Sequence, residues 1–417
     1  MVLIVKRLTK GERGSVMTLG TAAVVAVLLI LGLSVDLGTA YLSRARLYKA
    51  VDAAALAAAR QTSVDEAEMR SIALQVARAN YSGSGVEYAV TVSEEDGDAT
   101  RVTVTAECDS RTSFLRLAGM SDMRVRAAGE ATRFPLDMSL VLDVSYSLQA
   151  SNAFDDLQEA AQAFLERFDE NVDQVGIVSY SMVAKEDLPL DLYFLDDGLA
   201  VIDDLEPLNY TNMDEGLRRG RGQLDAPPAR SEAVKVLVLF TDGRPTAFRD
   251  VFDVVDPPDS YDGVIAAGGT GNGVVGLFHP VNGQKVLGFR RNGTAVLVPW
   301  WWIFGGFGLQ DPTPNVLPGG LQVNGQNIRQ VGMLQAEAQA SAARAAGHSV
   351  YCVGLGNADA EDPDDAPDMD LLVRLANEHG SSDPSQPRGV ALLAPTSSEL
   401  EEVFDTMAER ILLRLTR

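Results

Sequence analysis

The chain is 417 residues long, 46% hydrophobic and 22% charged, a balance that can bury sizeable cores and excludes wholesale disorder. Length alone points to roughly two to four folded units. Its 35 basic and 58 acidic side chains leave a net charge of −23, which repels phosphate backbones and excludes nucleic acid as the partner of the bulk of the chain.

Lys6, Arg7, Lys10 and Arg13 are opposed only by Glu12, and Val16 to Val35 then run for twenty positions without a charge. That is the length of helix needed to cross a hydrocarbon core. The charge bias puts residues 1–15 in the cytoplasm, residues 16–35 in the membrane as a transmembrane helix, and everything beyond Asp36 outside. A cleaved secretory signal is the competing reading; its apolar region would be only about 7–15 residues long, and Gly38-Thr39-Ala40 makes a weak cleavage site. From Asp36 to Arg60 the chain is rich in alanine, leucine and arginine and free of proline, so the helix is expected to continue as a long stalk. Ser63 and Glu66 have capping-box spacing and would start a second helix reaching about Ala79. Alternation follows: Tyr88, Val90 and Val92, then Val102 and Val104, read as a hairpin, and Met123 to Arg126 as another short strand. Residues 36–133 thus form a helical stalk and a small α+β membrane-proximal domain, with Cys108 a small buried residue.

Glu12-Arg13-Gly14 ahead of the span, Asp36, Gly38 and Tyr41 behind it, and the run VDAAALAAA from Val51 to Ala59 resemble the TadE/TadG-like proteins of Flp (tight-adherence, Tad) pilus assembly. The resemblance covers about the first sixty residues. It implies a single-pass protein of the bacterial inner (cytoplasmic) membrane, N-terminus cytoplasmic and C-terminal part periplasmic or extracellular. Pseudopilins trimmed after a glycine usually carry glutamate at the fifth mature position; counting from Gly14, this chain has Leu19 there, which favours an anchor that is retained.

Leu136 to Ser147 (LDMSLVLDVSYS) is an apolar strand whose carboxyl end delivers Asp143, Ser145 and Ser147. Thr211 stands at the entrance to a predicted helix, and the strand Val234 to Phe240 ends in Thr241-Asp242-Gly243. Between them Phe154, Leu157, Ala161, Phe164, Leu165 and Phe168 follow helical spacing, before an apolar strand around Val175 to Val178. Alternating strands and helices predict a mainly parallel α/β sheet, whose strand-end loops converge on one crevice. Oxygen donors suit a hard divalent ion: Mg²⁺ in octahedral geometry, with Mn²⁺ or Ca²⁺ as alternatives. Hydroxyls bring no charge, so the ion keeps an under-neutralised face for a carboxylate from a protein partner. In the blander reading Asp143 and Asp242 only cap helices and turns.

D-x-S-x-S, a distant threonine and T-D-G, in that order, resemble the von Willebrand factor type A domain and its metal-ion-dependent adhesion site (MIDAS). Spanning residues 134–417, the resemblance implies a Rossmann-like fold, a mainly parallel sheet with helices on both faces. It makes Ser145, Ser147 and Thr211 direct metal ligands, with Asp143 and Asp242 acting largely through bound water. A helix from Gln335 to Ala346, strands at Ser349–Gly354 and Val390–Ala394, and a last helix with Ser398 and Glu401 at capping-box spacing complete the pattern. Cys352, inside an apolar run, reads as core. Two cysteines so far apart form no disulfide scaffold, and whether they pair stays open.

An insertion of about eighty residues, 247–328, far exceeds the usual 2–6-residue loops of α/β units and holds all three tryptophans. Asn282-Gly283 and Asn292-Gly293 predict a β-meander from Val274 to Val281, Gln284 to Arg291 and Thr294 to Trp302. Leaving from the strand that bears Asp242, it should overhang the ion. Trp300, Trp301 and Trp302 either pack inside it or meet a partner, and an acidic residue between Asp250 and Asp262 is a candidate for the metal's open position.

Gly271 to Gly276 match G-x-G-x-x-G but follow glycine-rich loop rather than a strand. The acidic run from Asp359 to Asp370 lacks EF-hand spacing and reads as a solvated loop. With no P-loop lysine motif, G-x-S-x-G or H-E-x-x-H, an enzyme is not expected. The two resemblances together imply a membrane-anchored, metal-dependent protein-binding or adhesion factor of Flp/Tad pilus assembly or surface attachment, with pilus components among its partners. The alternative is a non-adhesive envelope scaffold, and a metal-dependent enzyme comes last.

Overall fold

The structure, a computed structural model, describes residues 12–416 apart from 62–64, 84, 95–97, 254–259, 269–271, 290–294, 299–313, 315 and 357–366. Two compact units divide the chain, one of Met1–Glu95, Ala99–Arg133 and Thr416–Arg417, the other of Asp96–Asp98 and Phe134–Leu415.

In the first unit α1 (Glu12–Ala59) is one continuous 48-residue helix. Residues 17–31 of it are exposed, and it is long and apolar enough to cross a membrane. Beyond them the alanine-rich run is not a free stalk. Leu47, Val51, Ala54, Ala55 and Ala58 recur at helical spacing and are fully buried, packed against α2 (Glu66–Asn80) and the antiparallel sheet β1 (Glu87–Glu94), β2 (Thr100–Arg111) and β3 (Asp122–Arg133). Small side chains let helix and sheet close so tightly that a Cβ at Gly129 of β3 would lie 2.6 Å from an Asp52 carboxylate oxygen. Asp65, whose carboxylate accepts the Glu68 N–H at 2.8 Å, caps α2; the predicted cap, Ser63, lies outside the described residues. The predicted hairpin and short strand are one three-stranded sheet. Small residues at Ala106, Cys108 and Ser110 carry the buried alternation of β2 past the valines.

The second unit is built on a six-stranded sheet in the order β16-β15-β7-β4-β5-β6. Its members are β4 (Leu136–Asp143), β5 (Gln174–Tyr180), β6 (Ala184–Asp191), β7 (Val234–Thr241), β15 (Ser349–Leu355) and β16 (Ala391–Ala394). All pairings are parallel except β5 with β6. Every residue of β4 and β5 is buried, as strands covered on both faces must be. Met138, Leu140, Val238 and Phe240 face a core shared with α4 (Phe154–Leu165) and α9 (Leu400–Arg414). Val141, Leu237 and Leu239 face another, shared with α6 (Met213–Asp225), α7 (Gly325–Ala345) and α8 (Met369–Ala376). Phe404 ties the first core together, with its ring centroid 5.1 Å from that of Phe164 and 6.1 Å from that of Phe240. Phe404→Ala is expected to cost about 3–5 kcal/mol, read as a lower urea midpoint with an unchanged slope.

Two predicted helix starts are displaced. Asn324 is the N-cap of α7 and accepts the Asn327 N–H at 2.8 Å, so that helix begins ten residues before Gln335. Ser398 bonds Thr396 at 3.0 Å instead of capping, and α9 follows a 3-10 turn at Ser397–Glu399.

Between β7 and α7 lies a five-stranded antiparallel sheet, β8 (Ala247–Asp253), β9 (Ser260–Ala267), β10 (Val274–Phe278), β11 (Lys285–Phe289) and β12 (Ala295–Val298), in the order β12-β11-β10-β9-β8. The predicted three-strand meander has two more strands before it, and its first strand ends at Phe278 rather than Val281; residues 290–294 and 299–302, where the other two were expected to continue, lie outside the described residues. A two-strand ladder, β13 (Val316–Leu317) with β14 (Leu321–Gln322), follows. Trp300, Trp301 and Trp302 lie outside the described residues, as does most of the acidic run from Asp359. The G-x-G-x-x-G match leads into β10, not a helix.

Candidate functional site

Parallel pairing of β4 with β5 and β7 brings Asp143, Tyr180 and Thr241 to the same edge of the sheet. Asp143 is fully buried, and both its oxygens are taken. Oδ1 accepts the Ser145 N–H at 2.9 Å, while Oδ2 accepts the Thr241 hydroxyl at 2.7 Å and the Tyr180 hydroxyl at 3.3 Å. The first of these bonds is the turn that the blander reading anticipates.

Ser145 departs from that reading. It occupies the N-cap position of α3 (Tyr146–Ala150) yet makes no side-chain capping bond. Its hydroxyl instead meets the Ser147 hydroxyl at 3.0 Å and donates to Asp242 Oδ1 at 3.3 Å. A serine that gives up a cap forgoes about 1 kcal/mol, so this arrangement is not what helix formation alone would select. Four of the five predicted residues, Asp143, Ser145, Ser147 and Asp242, are therefore joined in one hydrogen-bonded cluster.

Thr211 bonds none of these four among the described contacts, but its segment runs beside them. Leu208 N–H donates to the Val144 carbonyl at 2.7 Å, and Asn212 N–H to the Ser181 carbonyl at 2.7 Å. The Thr211 N–H goes to the Thr246 hydroxyl at 2.9 Å, and its carbonyl accepts from Thr246 and Ala247. The first residues leading into β8 therefore hold the threonine's peptide. Next to it, Tyr210 has a left-handed backbone (φ 68°), and its ring lies 5.7 Å from that of Phe278 on β10. Sequence reasoning passed over Tyr180, Tyr210 and Thr246. For Tyr180 the signal was present: a hydroxyl ending the strand next to the one that bears Asp143.

Electrostatically the cluster is unbalanced. Burial, and then the negative charge of Asp242, push the Asp143 carboxyl up to about 7; hydrogen bonds from Thr241 and Ser145 pull the other way and lose. The Tyr180 phenol is raised for the same two reasons, burial and the Asp143 charge. A divalent cation would reverse this balance. Among the described residues no three His, Cys, Asp or Glu side chains gather as a metal cluster, so an ion here would rest on hydroxyls with two carboxylates behind them. The donors present fit Mg²⁺, which accepts neutral oxygens and retains waters.

A cleft of about 500 Å³ opens beside Ser147 and Asp242, walled by Leu355, Gly356 and Pro395 to Ser397. No described residue of the β8–β12 sheet lines it; that sheet packs instead on Met182 and Tyr210. Of the acidic residues between Asp250 and Asp262, Asp256 and Asp259 lie outside the described residues, and the two at the ends have other partners. Asp262 pairs with Arg249 at 2.7 Å, and Asp250 accepts from Gln335 at 3.2 Å.

Comparison with known proteins gives two family matches. Residues 137–276 match the von Willebrand factor type A domain, and residues 14–61 match the Flp pilus-assembly TadE/G-like family. No curated protein matches the chain. Among solved structures, the vWF domain of the type V pili tip protein Mfa5 from Porphyromonas gingivalis is 17% identical, with 68% of this chain and 97% of that one covered and a TM-score of 0.42. The pilus adhesin SpaC from Lactobacillus rhamnosus GG is 15% identical, with 79% and 34% covered and a TM-score of 0.42. Proximal thread matrix protein 1 from the mussel byssus is 16% identical, with 68% and 47% covered and a TM-score of 0.37. The chain thus spans less than half the length of the last two.

Proposed function

From a chain that joins a TadE/G-like Flp pilus-assembly segment to a von Willebrand factor type A domain, we propose a membrane-anchored, metal-dependent binding factor of pilus assembly or surface attachment. In this reading residues 16–35 anchor it in the inner membrane, with residues 1–15 cytoplasmic and the type A domain, residues 134–417 with an insertion at about 247–328, outside. Ser145, Ser147 and Thr211 bind Mg²⁺ directly, Asp143 and Asp242 act through water, and a partner protein supplies a carboxylate to the open position. One observation carries it: the Ser145 hydroxyl leaves its capping role to join Ser147 and Asp242 above a buried carboxylate held above its ordinary pKa. The cleft beside Ser147 and Asp242 supports access for a partner's side chain.

Titration calorimetry on the full chain in detergent should register Mg²⁺ or Mn²⁺ uptake. Asp242→Ala should weaken it about 10–100-fold, as loss of a group acting through water typically does. Partners co-purified from native membranes should be released by chelator and be missing with Asp143→Ala. No ion uptake by the wild-type protein would sink the reading. Uptake with a chelator-insensitive partner set would favour the non-adhesive scaffold.

A further inference from the structure

The connection from β2 to β3, residues 112–121, reads TSFLRLAGMS; Arg116 is its only charged residue. Phe114, Leu117 and Met120 on it are 47%, 85% and 54% exposed. Scattered exposed hydrophobics need no explanation, but these three share one ten-residue tip whose position along α1 is fixed twice over. The Phe114 ring lies on Gly32, where a Cβ would fall 2.6 Å from the ring. Gly32 is inside the apolar run that ends at Val35, so the ring sits about one helical turn within it. At the end of that run the Asp36 carboxylate, 1% exposed, accepts the backbone N–H groups of Ser113, Phe114 and Leu115 at 2.7, 2.9 and 2.6 Å.

In water those three N–H groups would be solvated without help. At the edge of a bilayer they would not, and leaving backbone groups unpaired there is costly. A buried carboxylate that satisfies all three is the provision that a loop entering lipid requires. We propose that this tip dips into the outer boundary of the bilayer beside α1, with Phe114, Leu117 and Met120 entering the acyl region. Arg116 then lies at the level of anionic headgroups, which attract it. The occupant of this apolar surface is phospholipid, because its depth is registered on the helix that spans the same membrane. The inference rests on reading residues 16–35 as the span.

The test uses the full chain reconstituted in phosphatidylcholine vesicles containing phosphatidylglycerol, with a nitroxide attached at Leu117→Cys. The native Cys108 and Cys352 are buried and serve as the labelling blank. Collision with dissolved oxygen relative to a water-soluble nickel chelate reports depth. Leu28→Cys, in the middle of the apolar run, is the lipid reference, and the exposed Tyr193→Cys the aqueous one. Leu117 should give an oxygen-to-nickel ratio several-fold above that of Tyr193, and Met120→Cys should agree. A lipid-like Leu28 with a Leu117 ratio equal to that of Tyr193 overturns the dipping tip and leaves the anchor standing, pointing to a protein partner for the patch. An aqueous Leu28 overturns the anchor, and the tip with it.

Discussion

Metal-free protein is expected to lose stability as pH rises from about 4 to about 7, and Asp143→Asn to abolish that loss. Burial, and then the Asp242 charge, push the Asp143 carboxyl up to about 7 from an ordinary 3.8, so between those values the folded state binds more protons than the unfolded one, and stability falls with rising pH. The penalty is absent below about pH 4 and complete above about pH 7. A displacement of that size is worth a few kcal/mol. Asparagine can be accommodated, because both hydroxyls that donate to Asp143 Oδ2 have carbonyls to turn to. Thr241 lies 3.1 Å from the Gly243 oxygen, and Tyr180 lies 3.1 Å from the Phe240 oxygen. Denaturant melts in chelator across this range should therefore show Asp143→Asn overtaking wild type as pH rises. Mg²⁺ should restore the wild type at neutral pH and leave the variant unmoved. Parallel pH profiles for the two proteins would show that the buried charge is not the dominant feature of the site.

Gly389→Ala should cause a loss of comparable size at the far side of the sheet. A Cβ at Gly389 would stand 1.7 Å from the Val350 carbonyl oxygen on β15, where backbone meets backbone and no side chain can swing aside. Val390, the next residue, accepts the Cys352 N–H at 3.0 Å, and Gly389 N–H donates to Ala376 at 2.7 Å, so the strand cannot retreat without breaking its entry into the sheet. A loss of about 3 kcal/mol or more is expected. Gly222→Ala is the control: at an exposed position of α6, with nothing within 4 Å of a new Cβ, it should stabilise by about 1 kcal/mol. Equal midpoints for the two variants would remove the steric argument.

The hydrogen-bonded cluster around Asp143 was legible because its parts are local. D-x-S-x-S and T-D-G each sit at the end of an apolar strand, and parallel pairing turns two strand ends into one site. Tyr180 escaped because its strand was read only to about Val178, two residues short of the hydroxyl that ends it. The first two strands of the antiparallel sheet escaped for a different reason. Asp250 to Asp262 read as a source of an acidic residue for the metal, and only the register of β8 on β9 pairs Arg249 with Asp262 across the strands. The alanine run of α1 looked like a featureless rod until the sheet that its small side chains accommodate was in view. Caps were the least legible features. Asp65, Asn324 and Ser398 belong to residue types that serve equally in turns and helix starts, and which role wins depends on where the neighbouring backbone goes.

The grip on Thr211 bears on any attempt to trim this protein. Tyr210 holds a left-handed backbone that a bulky residue adopts at a cost of about 1–3 kcal/mol, with its ring beside Phe278 and the next peptide fastened to Thr246 and Ala247. Splicing out the β8–β12 sheet to obtain a minimal domain would release a spring that the sheet now keeps compressed. Such a truncated protein could remain folded and still present its threonine in the wrong place.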